Sequence, residues 1–471
     1  MGDEITHRHF AAEDFSRFRR LLKQETEHLS RLFKSGEFST RGDIVGFELE
    51  AWIVDSEGLP KGCNRQLLDN LKNPLVVPEL SQFNVELNGS PTALTGSVFT
   101  RLHDELFSTW NACQRAAQSL GVKLMQIGTL PTIKQNQLTS ANMSDLVRYQ
   151  ALNDRLIALR DGRELDINIS GQQDLNVKHD DVMLEAATTS FQIHLQCKPH
   201  RATRDFNAAL VVSAPMVALS ANSNFLFDKA LWAETRVPLF EQAIDIGSRH
   251  LSRVTFGRGY VAENLMEVFE ANLEDHAILL PFVQPEPLNK YAHVRFQNGT
   301  IWRWNRPLIG FDYDGQPHLR IEHRVVPSGP TVLDCVSNCA AFIGFVRGLS
   351  SRKTPLEQEI SFETAKSNFY TAAQHGLEAT IEWVGGKKIR VDELILNELL
   401  PEAHESLANS NVPKHEIEKY LGVIKERVSS GLNGATWQRR WVEQNGIDYP
   451  RLAQTYLENQ ESNQPVHTWP I

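Results

Sequence analysis

No glycine-rich loop follows a strand-like stretch anywhere in this 471-residue chain. The nearest approach, "FGRGYV" at 256–261, is too short to cradle a phosphate with backbone amides, so a P-loop or dinucleotide fold is not expected. Cysteine is scarce. Cys63, Cys113, Cys197, Cys335 and Cys339 are odd in number, scattered and without metal-finger spacing. That pattern fits a reduced, cytoplasmic protein without structural disulfides. No apolar run approaches the ~18 residues of a membrane-crossing helix. Excess positive charge is also absent, the formal net charge being −10. An acidic chain has no general attraction for nucleic-acid phosphates or anionic lipid, so neither partner is expected. No Ser/His/Asp or Cys/His arrangement is evident, which speaks against a covalent enzyme nucleophile.

A hydrophobic fraction of 41% is enough to bury a substantial core. Apolar residues at helical spacing predict an amphipathic helix over 13–36 and further helices over 97–120, 143–160, 203–220 and 330–350. Period-two patterning predicts strands over 42–54 and 83–88, in "ELDINISGQ" and in "TTSFQIHLQC". "GVKLMQIGTLP" reads as a buried strand, and 291–325 as strand-like and rich in aromatics. Beyond Arg352 the pattern is mostly helical, with "VGGKK" as a turn or hairpin. The tail "NQESNQPVHTWPI" lacks periodicity and is expected to be loose. Strands far apart in sequence, separated by helices of unequal length, predict an α+β fold with a mostly antiparallel sheet.

Side chains two apart on a strand share a face. In "VGFELEAW", Val45, Phe47 and Leu49 lie on one face, and Gly46, Glu48 and Glu50 on the other. "FNVELN" divides into Phe83, Val85 and Leu87 against Asn84, Glu86 and Asn88. "FQIHLQ" sets Gln192, His194 and Gln196 opposite an apolar face, and "LRIEHRV" does the same with Arg320, Glu322 and Arg324. Any one polar face is ordinarily just solvated. Together, however, these faces hold acids, imidazole, amides and guanidinium without lysine. Grouped carboxylates repel unless a cation lies between them. Glu48, Glu50, Glu86, His194 and Glu322 therefore make a candidate set for Mg²⁺ or Mn²⁺. Arg320 and Arg324 add the positive charge that phosphoryl transfer needs.

"VGFELEAWIVD", "FNVELN", "LPTIKQNQLT", "VRYQALNDRL", "TTSFQIHLQC", "ANSNFLF", "ETRVPLFEQ" and "LRIEHRVVPSGPTVLD" occur in an order that resembles the glutamate–cysteine ligase family. The likeness is strongest to its carboxylate–amine ligase branch and covers roughly residues 40–350. It implies a curved, mostly antiparallel sheet forming a funnel flanked by helices, as in the glutamine synthetase catalytic domain. ATP and an amino acid would enter from opposite ends, with Mg²⁺ between. Glu48, Glu50, Glu86, His194 and Glu322 match metal positions, and Arg324 the arginine beside the transferred phosphoryl group. Arg236 matches an arginine for the substrate carboxylate, and Gln192 is grouped with it. Arg320 and Arg324 are taken as nucleotide-binding. So is Arg303, from "TIWRWNRPLIGFD", whose Trp302, Arg303, Trp304 and Arg306 suit either a nucleotide contact or a packed strand.

The implied reaction activates a carboxylate, expected to be the γ-carboxylate of glutamate, as an acyl phosphate that an amine such as cysteine attacks. Partners are then small amino-acid and amine substrates, and a homo-oligomer is compatible with this reading. The expected organisation is an N-terminal helical segment (1–40), a catalytic domain (41–352) and a mostly helical extension (353–471). Two alternatives stay open: a non-catalytic nucleotide- or metal-binding relative, and a kinase of a guanidino or carboxylate substrate.

Overall fold

The computed structural model describes residues 4–247 and 250–471. The strands that matter for the site are β1 (Ile44–Val54), β2 (Val76–Pro78), β3 (Asn84–Asn88), β4 (Lys123–Met125), β5 (Leu165–Ser170), β6 (Asp174–His179), β7 (Phe191–Cys197), β8 (Asn305–Phe311) and β9 (Pro317–His323). β1 carries the alternating pattern and lies centrally in an eight-stranded sheet of order β8-β9-β7-β1-β3-β2. Thr92–Ala93 and β4 pair with the two ends of β1. Every pairing in this sheet is antiparallel. The sheet curls, as twisted antiparallel strands do, and its concave face is polar. β5 and β6 form a separate hairpin.

The helices that bear on the site and its support are α1 (Ala12–Ser35), α2 (Val98–Gln118), α3 (Val147–Leu159), α4 (Ala202–Ser220), α5 (Met266–Asp275), α6 (Ala292–Gly299), α7 (Val332–Ser350), α8 (Lys414–Ser430), α9 (Gly434–Asn445) and α10 (Tyr449–Glu461). α4 and α7 are buried along almost their whole length and pack on each other beneath the sheet. Val45, Phe47, Leu49, Ile193, Leu195, Leu319 and Ile321 meet them from the apolar side. Among the described residues α7 alone is long and apolar enough to cross a membrane, and its neighbours bury it. The five cysteines are free, and four are buried. His323, which interrupts the apolar side of β9, stacks on Phe342 at 4.1 Å and bonds Asn305 at 2.7 Å.

Two expectations need correction. Residues 291–325 are not strand throughout, because they begin with α6. The Glu25 carboxylate of α1 accepts from the backbone N–H of His293 (2.8 Å) and Val294 (3.0 Å) and caps that helix. A cap supplied from so far away in sequence leaves no local signal. Nor is the tail loose. Val466 and Trp469 are buried, and the Trp469 ring packs edge-on against Trp437 (5.3 Å) and Tyr456 (5.0 Å). The Val466 N–H donates to Asp334 Oδ2 at 3.1 Å. Apolar residues too few and irregular to show a period still find pockets here.

The C-terminal helices share one hydrophobic core with the sheet. Arg427 of α8 reaches into α7, with Nη2 2.7 Å from Asp334 Oδ1 and Nη1 2.5 Å from Asn338 Oδ1. Tyr456 of α10 donates to the Gln126 carbonyl (2.9 Å) and accepts from Asn222 Nδ2 (2.9 Å), while Gln438 of α9 donates to Asn222 Oδ1 (3.0 Å). The bonds to Asn222 and Gln126 fix the loops beside Arg236, whose backbone N–H donates to Ser223 Oγ at 3.2 Å.

Candidate active site

Residues in register on neighbouring strands point to the same side. Glu48 lies opposite Gln192 and Asn88, and Glu50 opposite Glu86. His194 lies between Gly46 and Glu322, while Gln196 pairs with Arg320. Arg306 of β8 pairs with Glu322. Five strands thus project one polar surface into the concavity.

That surface holds two groups of possible cation ligands. Glu48, His194 and Glu322 each offer an atom within 4.8 Å of the others, and so do Glu50, Glu79 and Glu86. His194 Nε2 is buried without a hydrogen-bond partner and lies 3.4 Å from Glu48 Oε1 and 3.9 Å from Glu322 Oε1. Burial pushes the His194 ring down to about 4, so the imidazole is neutral and can present a lone pair. Burial and the charge of Glu86 and Glu50 drive Glu79 well above the carboxylate range. Burial raises Glu50 and Glu86 as well, with carboxylate neighbours adding to it. Three buried acids so close together suit a hard divalent cation, and the oxygen-rich donor sets fit Mg²⁺ or Mn²⁺.

Cationic side chains border these groups. Arg306 grips Glu322 through Nε (2.7 Å) and Nη2 (3.0 Å). Arg324 Nη1 donates to Gln192 Oε1 (2.6 Å) and Glu322 Oε2 (3.2 Å). Despite burial, those guanidinium charges hold the Glu322 carboxyl far below its usual range. Gln192 donates in turn to Glu50 Oε1 (3.0 Å), so its amide ties the second group to Arg324. The Ser190 N–H holds the other Glu50 oxygen at 2.6 Å. Arg320 lines a cavity of about 380 Å³ with Glu48, His194 and Asn88, and its buried Nε is without a partner. A half-buried acid outside both groups, Glu185, is pushed up to about 8 by burial and by the charge of Glu50, with Arg324 opposing.

The predicted residues Glu48, Glu50, Glu86, His194, Glu322, Gln192, Arg320 and Arg324 are thus brought together. Arg236 lies beside them with its ends already engaged. Its Nη1 bonds Glu234 (3.0 Å) and the Val325 carbonyl (3.3 Å), and its Nη2 the Arg324 carbonyl (3.3 Å). It braces the backbone of Arg324 and does not present a free guanidinium. Arg303 is not brought to the group. Its Nη1 bonds Asn272 of α5 at 2.6 Å, and it lines a separate cavity with Phe256 and Tyr260. The strand is interrupted at Trp304, whose indole bonds Glu241 at 2.8 Å, so Arg306 faces the site in its place.

Glu79 escaped the sequence reading. β2 pairs Val77 with Glu86, and Glu79 follows Val77 by two, on the Glu86 side. Pairing "VVPEL" against "FNVELN" across a short turn would have exposed this. Tyr149 is buried on α3, where Glu79 and Glu86 help to raise its phenol.

The curled antiparallel sheet with its acid-lined concavity is a carboxylate–amine ligase fold. It is similar to glutamate–cysteine ligase from Francisella tularensis, solved in complex with AMP, with 12% identity and a TM-score of 0.58 over 92% of this chain and 90% of that one. A bifunctional glutathione synthetase from Pasteurella multocida matches at 13% identity and a TM-score of 0.51, over 93% of this chain and 55% of the larger one. The chain belongs to glutamate–cysteine ligase family 2 (GCS2), whose pattern its residues 44–458 match. No curated protein matches its sequence.

Proposed function

We propose that this protein is an ATP-dependent carboxylate–amine ligase that activates the γ-carboxylate of glutamate as an acyl phosphate and passes it to an amine such as cysteine. The observation that carries the reading is the pair of three-ligand groups side by side on one sheet face, with Arg324 bonded between them. The family and the name of the Francisella relative favour glutamate as the carboxylate and cysteine as the amine.

Glu48, His194 and Glu322 would hold one Mg²⁺, and Glu50, Glu79 and Glu86 another. Bound there, the cations would neutralise phosphate charge and polarise the transferring phosphoryl group. The protein's own residues do the rest. Arg320, in the cavity beside Glu48, faces the nucleotide phosphates. Arg324 is held by Gln192 and Glu322 where charge develops on the transferring oxygens, and needs no rearrangement to stabilise it. Arg236 fixes that position from behind. A carboxylate is a poor electrophile, and phosphorylation gives it a good leaving group. Attack by the amine then forms the amide and releases phosphate.

The test is incubation with ATP, Mg²⁺, glutamate and a panel of amines, with ADP and amide measured. ADP release that needs both substrates, with amide in equal amount, is the expected result. ADP with one substrate and a stable phosphorylated product would make the protein a kinase. Bound nucleotide without turnover would make it a non-catalytic relative. Glu48→Gln is expected to abolish turnover, and full activity in that variant would overturn the metal assignment.

A further inference from the structure

The stretch "FGRGYV" is too short to cradle a phosphate with its backbone, yet its side chains line a cavity of about 310 Å³. Phe256 and Tyr260 come from this loop, Phe206 and Leu210 from α4, and Ala271 from α5. Packing behind the loop fixes these walls. The Phe256 ring lies 5.1 Å from Phe369 and 5.6 Å from Phe362, and Tyr260 meets Phe362 edge-on at 5.6 Å. Gly257 turns the loop at φ +125°, a conformation that residues with side chains rarely adopt. Along β8, Arg306 faces the acid groups while its neighbour Asn305 lines this cavity, so the cavity lies on the reverse of the sheet.

Arg303 is out of place in that setting. It lines the cavity and is only 5% exposed, yet no carboxylate among the described residues pairs with it. Its one side-chain hydrogen bond runs from Nη1 to Asn272 Oδ1. The Nε–Nη2 edge is left without a partner, and this is the edge with which Arg306 grips Glu322. A guanidinium is rarely buried unpaired, because the lost hydration is costly. Burial and the charges of Arg258 and Arg306 drive Arg303 down to about 10. His276 is held down to about 3 by burial and then by Arg303, Arg253 and Arg258, so positive charge is in surplus here. The nearby acids are committed elsewhere. Asp275 is paired with Arg258, and Glu267 accepts from the backbone N–H of Ala262 (3.1 Å) and Glu263 (2.7 Å). The Tyr260 hydroxyl, also in the cavity wall, is buried without a partner.

We propose that this cavity is a second binding site, for a small carboxylate with an apolar or aromatic body, held side-on by Nε and Nη2 of Arg303 among Phe206, Phe256 and Tyr260. Two N–H donors in one plane match the two oxygens of a carboxylate. One buried positive charge balances one negative charge, which favours a carboxylate over a phosphate dianion. The apolar walls take the rest of the molecule. A volume of about 310 Å³ equals that of roughly ten waters in the liquid, which is room for about ten non-hydrogen atoms. The site is separate from the catalytic concavity and does not depend on the ligase reading.

The experiment compares two probes by calorimetry: phenylacetate, and phenylacetamide, which has nearly the same shape and no charge. The parent protein should bind phenylacetate about ten- to hundredfold more tightly than the amide. Arg303→Met should lose that preference. Ala271→Leu, which fills the cavity from α5 and leaves the charge alone, should abolish binding of both probes. A non-hydrolysable ATP analogue with Mg²⁺ should not compete with phenylacetate. Without a probe, Arg303→Met should unfold at no lower urea concentration than the parent protein, because it removes an unpaired buried cation. Equal affinity for the two probes, a preference kept in Arg303→Met, or competition by the ATP analogue would overturn the site. So would the absence of phenylacetate binding at millimolar concentration. A marked loss of stability in Arg303→Met would make Arg303 a brace for Asn272 and overturn it as well.

Discussion

The group formed by Glu50, Glu79 and Glu86 makes an unusual demand on stability, and Glu86→Gln tests it. Glu86 offers an oxygen within 4.8 Å of its two neighbours. Two unit charges at 4.8 Å repel by about 3.5 kcal/mol at an effective dielectric constant of about 20. Proton uptake caps the real cost, because the burial and charges that raise these three groups let them titrate before the full repulsion develops. Glutamine keeps the shape and the bond that Asn88 Nδ2 makes to Oε1 at 3.0 Å. Its amide can also donate to Glu79 Oε1, which has no donor. In chelator, Glu86→Gln should therefore be more stable than the parent protein by about 1–3 kcal/mol. With Mg²⁺ the order should reverse. At a hundredfold excess over its dissociation constant, a ligand of the native state adds about 2.7 kcal/mol, and the variant should lose most of that. Urea unfolding, with and without Mg²⁺, reads both quantities. A variant that is less stable in chelator yet gains as much from Mg²⁺ as the parent would refute the reasoning.

Arg427→Met leaves Asp334 buried without its cation, and urea unfolding should show a loss of about 3–5 kcal/mol. Adding Asp334→Asn should restore much of it, whereas a single-variant loss under 1 kcal/mol would mean that the pair does not anchor α8. Glu241 is raised to about 7, chiefly by burial, against the opposing bonds from Trp304 and Tyr370. A raised acid contributes stability that is complete below its unfolded value, near 4.5, and is lost as pH climbs through about 7. Glu241→Gln should therefore match the parent protein near pH 4.5 and exceed it at pH 8. Parallel stability curves across that range would contradict the assignment.

The residues of the site were legible where period-two alternation meets a buried opposite face. β1, β3, β7 and β9 all meet that condition, and Glu48, Glu86, His194 and Glu322 followed from it. Alternation fails where a strand breaks. Trp304 turns out of register to bond Glu241, so counting from Arg303 misses that Arg306 is the arginine facing Glu322. It also fails for an acid one residue past a three-residue strand, as with Glu79. Periodicity reports which way a side chain points but not what already occupies it. Arg236 has the right neighbourhood, but backbone carbonyls take up its ends. The packing of Trp469 depends on pockets assembled from α9 and α10, and no local pattern encodes those.

The strand order also sets a timetable. β1 is complete by residue 54, yet one of its partners is β7, β9 ends at residue 323, and Tyr456 fastens Gln126 to Asn222. At roughly 5–20 residues per second of synthesis, the finished central strand waits on the order of tens of seconds for the last of these elements. An unpaired apolar strand is a template for wrong partners, and charges along it discourage them. Glu48 and Glu50 stand on β1 throughout that wait. The acids that would later hold a cation thus also guard the newly made strand against pairing with another chain.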